Sequence, residues 1–238
     1  MTELQTIQHL FISAAQAIET RFTERNLPIA DVSPSQLVEA LSQLLFVFDK
    51  LDQENGEYST LPNDDPSELG EHGVHIAGDL ATWADRMELS QAKTDVENVA
   101  VGIALWVVRH EGEIRALETI VNGFATQANA TSTADTLRAL FHAMQLVIDH
   151  AEPTIKQDLD KSNPGRPWRA LNFNFAIVAT RTQDAQLMHE AFDTLGRNLP
   201  EDAPGFFEEG LRQSGKAVYG PVVKNLMQEY FTRWTVRH

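Results

Sequence analysis

The chain has 238 residues and no cysteine, and its 34 acidic and 19 basic side chains give a formal net charge of −15. A hydrophobic content of 42% over this length supports a core that needs no disulfide or structural metal to hold it together. The absence of cysteine excludes disulfide scaffolds, iron–sulfur clusters, thiolate zinc sites and thiol nucleophiles. The negative charge argues against nucleic-acid binding, because contacts to phosphate need clustered basic side chains.

The first 52 residues predict a hairpin of two amphipathic helices. Apolar side chains recur at three- and four-residue steps over residues 4–22, which places them on one helix face. The segment 26–28 interrupts this pattern, and Ser33 then provides a natural N-cap with Pro34 in the first helical turn. A second apolar face follows over residues 37–48. The N-terminus lacks the basic region of a secretory signal, so we expect a cytoplasmic protein.

Residues 53–70 predict an acidic linker or long loop. The stretch 49–71 holds eight acidic side chains against Lys50 alone, together with four glycine or proline residues. Self-repelling charge and turn residues favour exposed chain over packed structure. We therefore expect an N-terminal helical hairpin at 1–52, this linker at 53–70 and a main helical domain at 71–238, with one continuous domain as the alternative.

Helical periodicity continues from residue 71 to the end of the chain. The apolar run 99–108 is about half of the roughly 20 residues that cross a bilayer, so it predicts a buried helix. No alternating strand pattern is present, and the sequence predicts an all-α fold of antiparallel helix pairs, stacked as an α-solenoid-like or bundle domain. We predict helices at 72–88, 92–109, 111–128, 133–150, 152–160, 167–181, 184–198, 203–213 and 219–236.

Residues 169–202 form a 34-residue stretch that resembles a tetratricopeptide repeat unit at some positions. The matching positions are Phe175, Ala176, Phe192 and Pro200. The departing positions are Asn172, Ala179, Met188 and Leu195. The resemblance covers about a seventh of the chain, and it implies a helix-pair fold of the solenoid type without the peptide-binding residues of that family.

Four side chains near residue 75 form a candidate metal site. On a helix, Glu71, His75 and Asp79 share one face, and His72 lies one turn before His75. Imidazole and carboxylate groups on adjacent turns can bind zinc, iron or nickel. The alternative is a solvated acidic helix start in which one histidine is packed or acts as a cap.

The segment 161–181 carries four basic side chains and no acidic one, namely Lys161, Arg166, Arg169 and Arg181. A rigid loop runs here into a helix, so that Arg166, Trp168 and Arg169 could recognise an anion or an acidic partner, with Arg181 further along. In the alternative interpretation, Trp168 fills the core while Arg166 and Arg169 pair with the protein's own carboxylates.

Residues 210–216 have the spacing of a phosphate-binding P-loop, but Ala217 stands where magnesium binding needs Ser or Thr. The preceding residues read as helix, so we instead predict a helix that ends at Gly215 in a left-handed cap. Six nearby aromatic side chains are expected in the core, namely Phe206, Phe207, Tyr219, Tyr230, Phe231 and Trp234. No pattern for a catalytic nucleophile or a cofactor is found, and we predict no catalytic residue.

The sequence therefore predicts a non-catalytic scaffold or adaptor that binds another macromolecule through a helical surface. We expect a protein partner, with a homodimer as an option, and neither nucleic acid nor membrane. The alternative is a metal-dependent or small-molecule enzyme or binding protein in a helical bundle, using His72, His75 and Asp79. A closed pocket with converging polar groups would favour the alternative, whereas a long groove or an exposed apolar patch would favour an adaptor.

Overall fold

A computed structural model describes residues 3–28, 32–54, 65–215 and 219–235 of the chain. These residues form helices and, apart from one isolated backbone bridge, no β-structure, which confirms the predicted all-α class. The helices are α1 (Glu3–Arg25), α2 (Pro34–Glu54), α3 (Pro66–Arg86), α4 (Ser90–Arg109), α5 (Glu118–Ala130), α6 (Ala134–His150), α7 (Pro153–Lys156), α8 (Pro167–Thr182), α9 (Ala185–Asn198), α10 (Ala203–Ser214) and α11 (Pro221–Thr235).

The chain divides into two compact units. Unit 1 is Met1–Thr126 with His150–Glu152, and unit 2 is Gln127–Asp149 with Pro153–His238. Unit 1 contains 22 acidic and 7 basic side chains, whereas unit 2 contains 12 of each, so the whole net charge of −15 belongs to unit 1. Residues 55–64, at the centre of the predicted linker, lie outside the described residues.

Unit 1 is built around four helices that pack in a ring. Helix α1 packs on α4, α4 on α3, α3 on α2 and α2 on α1, so each helix contacts two neighbours, as in a four-helix bundle. The predicted buried helix at 99–108 is confirmed as part of α4, most of whose residues in this run are buried. Fully buried side chains from all four helices fill the centre, among them Ile18, Leu41, Phe48, Leu80, Ile103 and Trp106.

Two glycines allow close helix contacts in unit 1. A Cβ atom at Gly102 of α4 would overlap the side chain of Ile7 on α1. A Cβ atom at Gly70 of α3 would overlap Val107 of α4. Because glycine has no side chain, the partner's apolar side chain lies directly against the helix backbone at both points.

Several helix starts follow the sequence signals. The Ser33 hydroxyl accepts from the backbone N–H of Gln36 at 3.3 Å, and the Gln36 side chain accepts from the Ser33 N–H at 3.0 Å, which is a capping box. Helix α2 begins at Pro34, as predicted. Prolines also open α8 and α11, because their missing N–H is not needed in the first turn.

Two helix boundaries differ from the prediction. Helix α3 begins at Pro66, not near residue 72, because the Asp65 carboxylate accepts from the Ser67 N–H at 2.9 Å and caps the helix. Helix α5 begins at Glu118, not near residue 111. The backbone before α5 pairs with a later segment instead of forming a helix. The Ile114 N–H donates to the His150 carbonyl at 2.8 Å, and the Ile114 carbonyl accepts from the Glu152 N–H at 2.9 Å.

Unit 2 is a second helical assembly. Helix α8 packs on α9, α9 on α11 and α11 on α10. Phe141 of α6 stacks on Phe175 of α8, with ring centroids 4.4 Å apart. The buried Asn172 of α8 accepts from Asn198 of α9 at 2.8 Å, so a polar bridge joins this helix pair.

None of the described helices is long and apolar enough to cross a membrane.

Candidate functional site

Arg166 lies in the interior of unit 2, with its side chain 8% exposed. Its guanidinium donates to Asp158 at 2.6 Å, to Asp202 at 2.7 Å and to the backbone carbonyl of Asn163 at 3.3 Å. The hydrogen bond to Asp158 is the largest effect that raises the pKa of Arg166. Arg166 therefore joins the 157–166 loop to the start of α10. Its guanidinium N–H groups donate to residues within unit 2.

Arg169 shares a carboxylate with Arg166. Its Nε donates to Asp202 at 2.7 Å, its Nη1 donates to the carbonyl of Pro164 at 3.0 Å, and its guanidinium lies 4.0 Å from the centre of the Phe173 ring. Burial opposes ionisation of Asp202, but the two guanidinium groups outweigh it and hold its pKa below the usual value. Two of the predicted anion-binding residues, Arg166 and Arg169, thus pair with the same carboxylate, that of Asp202.

The other two predicted binding residues also have internal roles. Trp168 is 3% exposed and fills the core, and its Nε1 has no hydrogen-bond partner in the described part of the chain. Arg181 donates to the carbonyls of Ala128 and Thr131, at the C-terminal end of α5. These placements match the alternative in which this basic segment supports the fold, and anion binding stays a prediction.

The candidate metal residues lie along α3. His72, His75 and Asp79 are exposed to solvent, and Glu71 is partly buried. No group of three or more His, Asp or Glu side chains that could hold a metal ion is found in the described ranges. The spacing along α3 therefore places these side chains on the helix surface without assembling a three-ligand group.

The P-loop-like segment lies largely within a helix. Gly210 belongs to α10, which continues to Ser214, and Lys216 and Ala217 lie outside the described residues. The expected left-handed cap at Gly215 is wrong, because its φ is −65°. A helical backbone turns its N–H groups along its own axis, so the described part of this segment does not form a phosphate-binding loop.

A long apolar groove lies between α8, α10 and the start of α11, entirely within unit 2. The cavity has a volume of about 850 Å³. On α8 its wall is formed by Arg169, Phe173, Ile177 and Thr180, which span three helical turns, or about 16 Å. The other walls are formed by side chains of α10 and α11, including Phe206, Gly210, Val223 and Met227.

The groove changes in character along its length. At one end, Arg169 and Asp202 form their ion pair. In the middle, the Phe173 and Phe206 rings are 4.9 Å apart, and neither is fully buried. Beyond them Ile177 is 45% exposed. The middle of the groove therefore presents partly exposed apolar side chains to solvent.

Sequence reasoning missed this groove. The six aromatic side chains between residues 206 and 234 are expected in the core from sequence, and Phe207 and Tyr230 are indeed buried there. Phe206 and Tyr219, however, line the groove. The available signal was the spacing of Arg169, Phe173 and Ile177 along one face of α8, but which helix faces them depends on the tertiary fold.

Comparisons of the chain with protein-family models, with curated proteins and with solved structures find no match. The functional assignment therefore depends on the groove, its lining side chains and the internal pairing of the arginines.

Proposed function

We propose that this chain is a non-catalytic helical protein that binds a segment of a protein partner in the α8–α10–α11 groove. The observation that carries the proposal is the apolar groove itself, three helical turns long. Protein grooves of this kind receive the apolar side chains of a partner segment, commonly at helical spacing. The resemblance of residues 169–202 to a tetratricopeptide unit implies only a helix-pair fold, and it stays a prediction.

The charged side chains that line the groove support binding over catalysis. Arg169 is paired with Asp202. Glu201 accepts from Lys161 at 2.7 Å, and Glu209 pairs with Arg212. A catalytic site needs an acid, base or nucleophile aimed at a substrate, whereas each of these charges already has a partner within unit 2.

Site-specific photocrosslinking tests the proposal. We would place a benzophenone amino acid at Ile177, on the groove rim, and in a matched variant at Ile12 of unit 1, which is 63% exposed. Irradiation of cells that produce the protein should give a discrete protein adduct from position 177 and none of the same mass from position 12. Equal labelling from both positions, or none from either, would argue against the groove as a binding site.

Filling the groove provides a second test. Gly205 lines the groove, and a Cβ atom there would meet no atom within 4 Å. Gly205→Phe should therefore fold normally and suppress the adduct from position 177, whereas Gly205→Ala should leave it largely intact. Loss of helical signal in Gly205→Phe would disqualify that variant, and Ile177→Glu would then replace it.

A small apolar molecule is the second candidate occupant, because a volume of about 850 Å³ lies within the range of small-molecule pockets. Binding of the apolar dye Nile red to the purified protein, lost in Gly205→Phe, would favour this candidate. Native mass spectrometry of the purified chain would show a co-purified small molecule directly. A protein adduct without dye binding would favour the protein partner.

A further inference from the structure

One leucine in unit 2 is presented to solvent on a short loop. Leu159 is 81% exposed, the most exposed large apolar side chain among the described residues. Its neighbour Asp158 has a positive φ of 49°, a conformation that costs energy for a residue other than glycine. The buried ion pair of the Asp158 side chain helps to hold this conformation in place.

The contacts that hold this loop come from Arg166. The Asp158 side chain is 7% exposed and pairs with Arg166, which also binds the carbonyl of Asn163. The Asn163 side chain in turn accepts from the Gly165 N–H at 2.9 Å. The loop at 157–166 is therefore anchored from within, and the anchoring turns Leu159 outward.

The loop also borders the apolar groove. Lys161 of the loop donates to Glu201, which lines the groove, and Pro164 of the loop accepts from Arg169, which lines it too. Unit 2 thus carries a projecting leucine and an unfilled apolar groove next to each other. Leu159 does not fill the groove of its own chain, because it is exposed.

Net charge opposes contact between copies through unit 1 far more than through unit 2. Two copies of unit 1 repel each other, because each carries a net charge of −15, whereas unit 2 has 12 acidic and 12 basic side chains. The charged groups at the junction of loop and groove are also paired with each other. An apolar contact between two copies of unit 2 therefore meets little electrostatic opposition.

We infer that the partner segment in the groove is the Leu159 loop of a second copy of this chain, an inference that rests on the proposed function. A two-fold axis near the junction of loop and groove places each leucine over the other copy's groove. Reciprocal insertion then closes a pair in which each copy supplies one leucine and one groove. Because the groove has room for several side chains, Leu159 is the central residue of an interface that includes its neighbours in the loop.

Disulfide trapping tests this inference cleanly, because the chain has no cysteine of its own. Purified Leu159→Cys and Ile177→Cys would be mixed under mild oxidation, and Leu159→Cys would be mixed separately with Ile12→Cys. All three positions are solvent-exposed, so the variants should fold, which circular dichroism checks. The expected result is a species of twice the chain mass, at least about tenfold more abundant in the first mixture than in the second.

Sedimentation of the unmodified chain gives an independent readout. We expect a dimer at about 100 µM that Leu159→Asp or Ile177→Glu converts to monomer and that Ile12→Glu leaves intact. A monomer throughout, or equal trapping in both mixtures, overturns the inference. If the chain is monomeric but position 177 still crosslinks to a different protein, the inference fails and the proposed function stands. If neither self-association nor a protein adduct is found, both fail.

Discussion

At the scale of single residues, the guanidinium of Arg166 makes the most consequential contacts in unit 2. It contacts Asp158, Asp202 and Asn163 at once, and it is almost fully buried. Burying a guanidinium between two carboxylates costs solvation, which the pairing offsets only while every partner is present. The residue therefore matters for stability in a way that its position in a basic surface segment does not suggest.

Arg166→Ala should destabilise the protein by about 3–5 kcal/mol, because it leaves the buried Asp158 carboxylate without its guanidinium partner. Arg212→Ala removes an exposed pair with Glu209 and should cost less than about 1 kcal/mol. Urea denaturation followed by circular dichroism measures both. A cost for Arg166→Ala no larger than that for Arg212→Ala would show that the contacts of Arg166 with Asp158 and Asp202 do not stabilise the fold.

Glu97 of α4 is a buried carboxylate in unit 1. It is 5% exposed, and the Thr126 hydroxyl of α5 donates to it at 3.3 Å. Burial raises its pKa above the ordinary value of 4.5, although Lys93 and Thr126 oppose the shift and Asp85 adds to it. The folded state therefore holds this proton more tightly than the unfolded state does.

This raised pKa predicts how stability depends on pH. As the pH rises from 4.5 to the raised pKa, the unfolded chain loses the proton first, so the contribution of Glu97 to stability falls. Glu97→Gln should remove this fall while keeping an acceptor for Thr126, and it should be at least as stable as the original chain at pH 7. Denaturation midpoints from pH 4 to 8 test it. Identical slopes for both proteins would contradict the assignment.

At the scale of helices, the start of α3 depends on one cap. The Asp65 carboxylate accepts from the Ser67 N–H and also pairs with Arg115 at 3.0 Å. Burial opposes ionisation of Asp65, but these contacts outweigh it and lower its pKa, so their stabilisation is present at neutral pH and is lost in acid. The cap lies within the predicted linker at 53–70, because the acidic composition of this stretch favoured a loop over a helix start.

Asp65→Ala should lower stability by about 1 kcal/mol, because it removes the N-cap of α3. Asp65→Asn keeps an oxygen that can accept from Ser67 and loses only the charge, so it should cost less. Chemical denaturation at pH 7 compares the two variants. Equal costs would mean that the ion pair with Arg115, and not the cap, accounts for the effect.

The helices could be predicted from sequence where local signals were sufficient. Ser33 with Pro34 marked the start of α2, because capping depends on residues only a few positions apart. The start of α5 was misplaced, because Ile114 pairs with residues near 151, a contact that local periodicity does not show. The groove escaped prediction for the same reason: Phe173 and Phe206 come from different helices and meet only in the folded chain.

At the scale of the whole molecule, we predict a metal-independent helical fold. The apolar cores of both units come from the chain itself, so no bound ion is needed to exclude water. The far-ultraviolet spectrum should show strong helical bands that EDTA leaves unchanged, along with an unchanged Tm. A fall in Tm with EDTA that added zinc reverses would contradict this prediction. It would favour metal binding at His72 and His75.

The path of the chain between the two units has a consequence for synthesis. Residues 150–152 complete unit 1 by pairing with Ile114, yet 23 residues of unit 2 precede them in the chain. A ribosome adding about 5–20 residues per second reaches Glu152 about 1–5 s after Thr126. Unit 1 therefore acquires its last backbone pairing only after α6 has been translated, so synthesis of unit 2 begins before unit 1 can be completed.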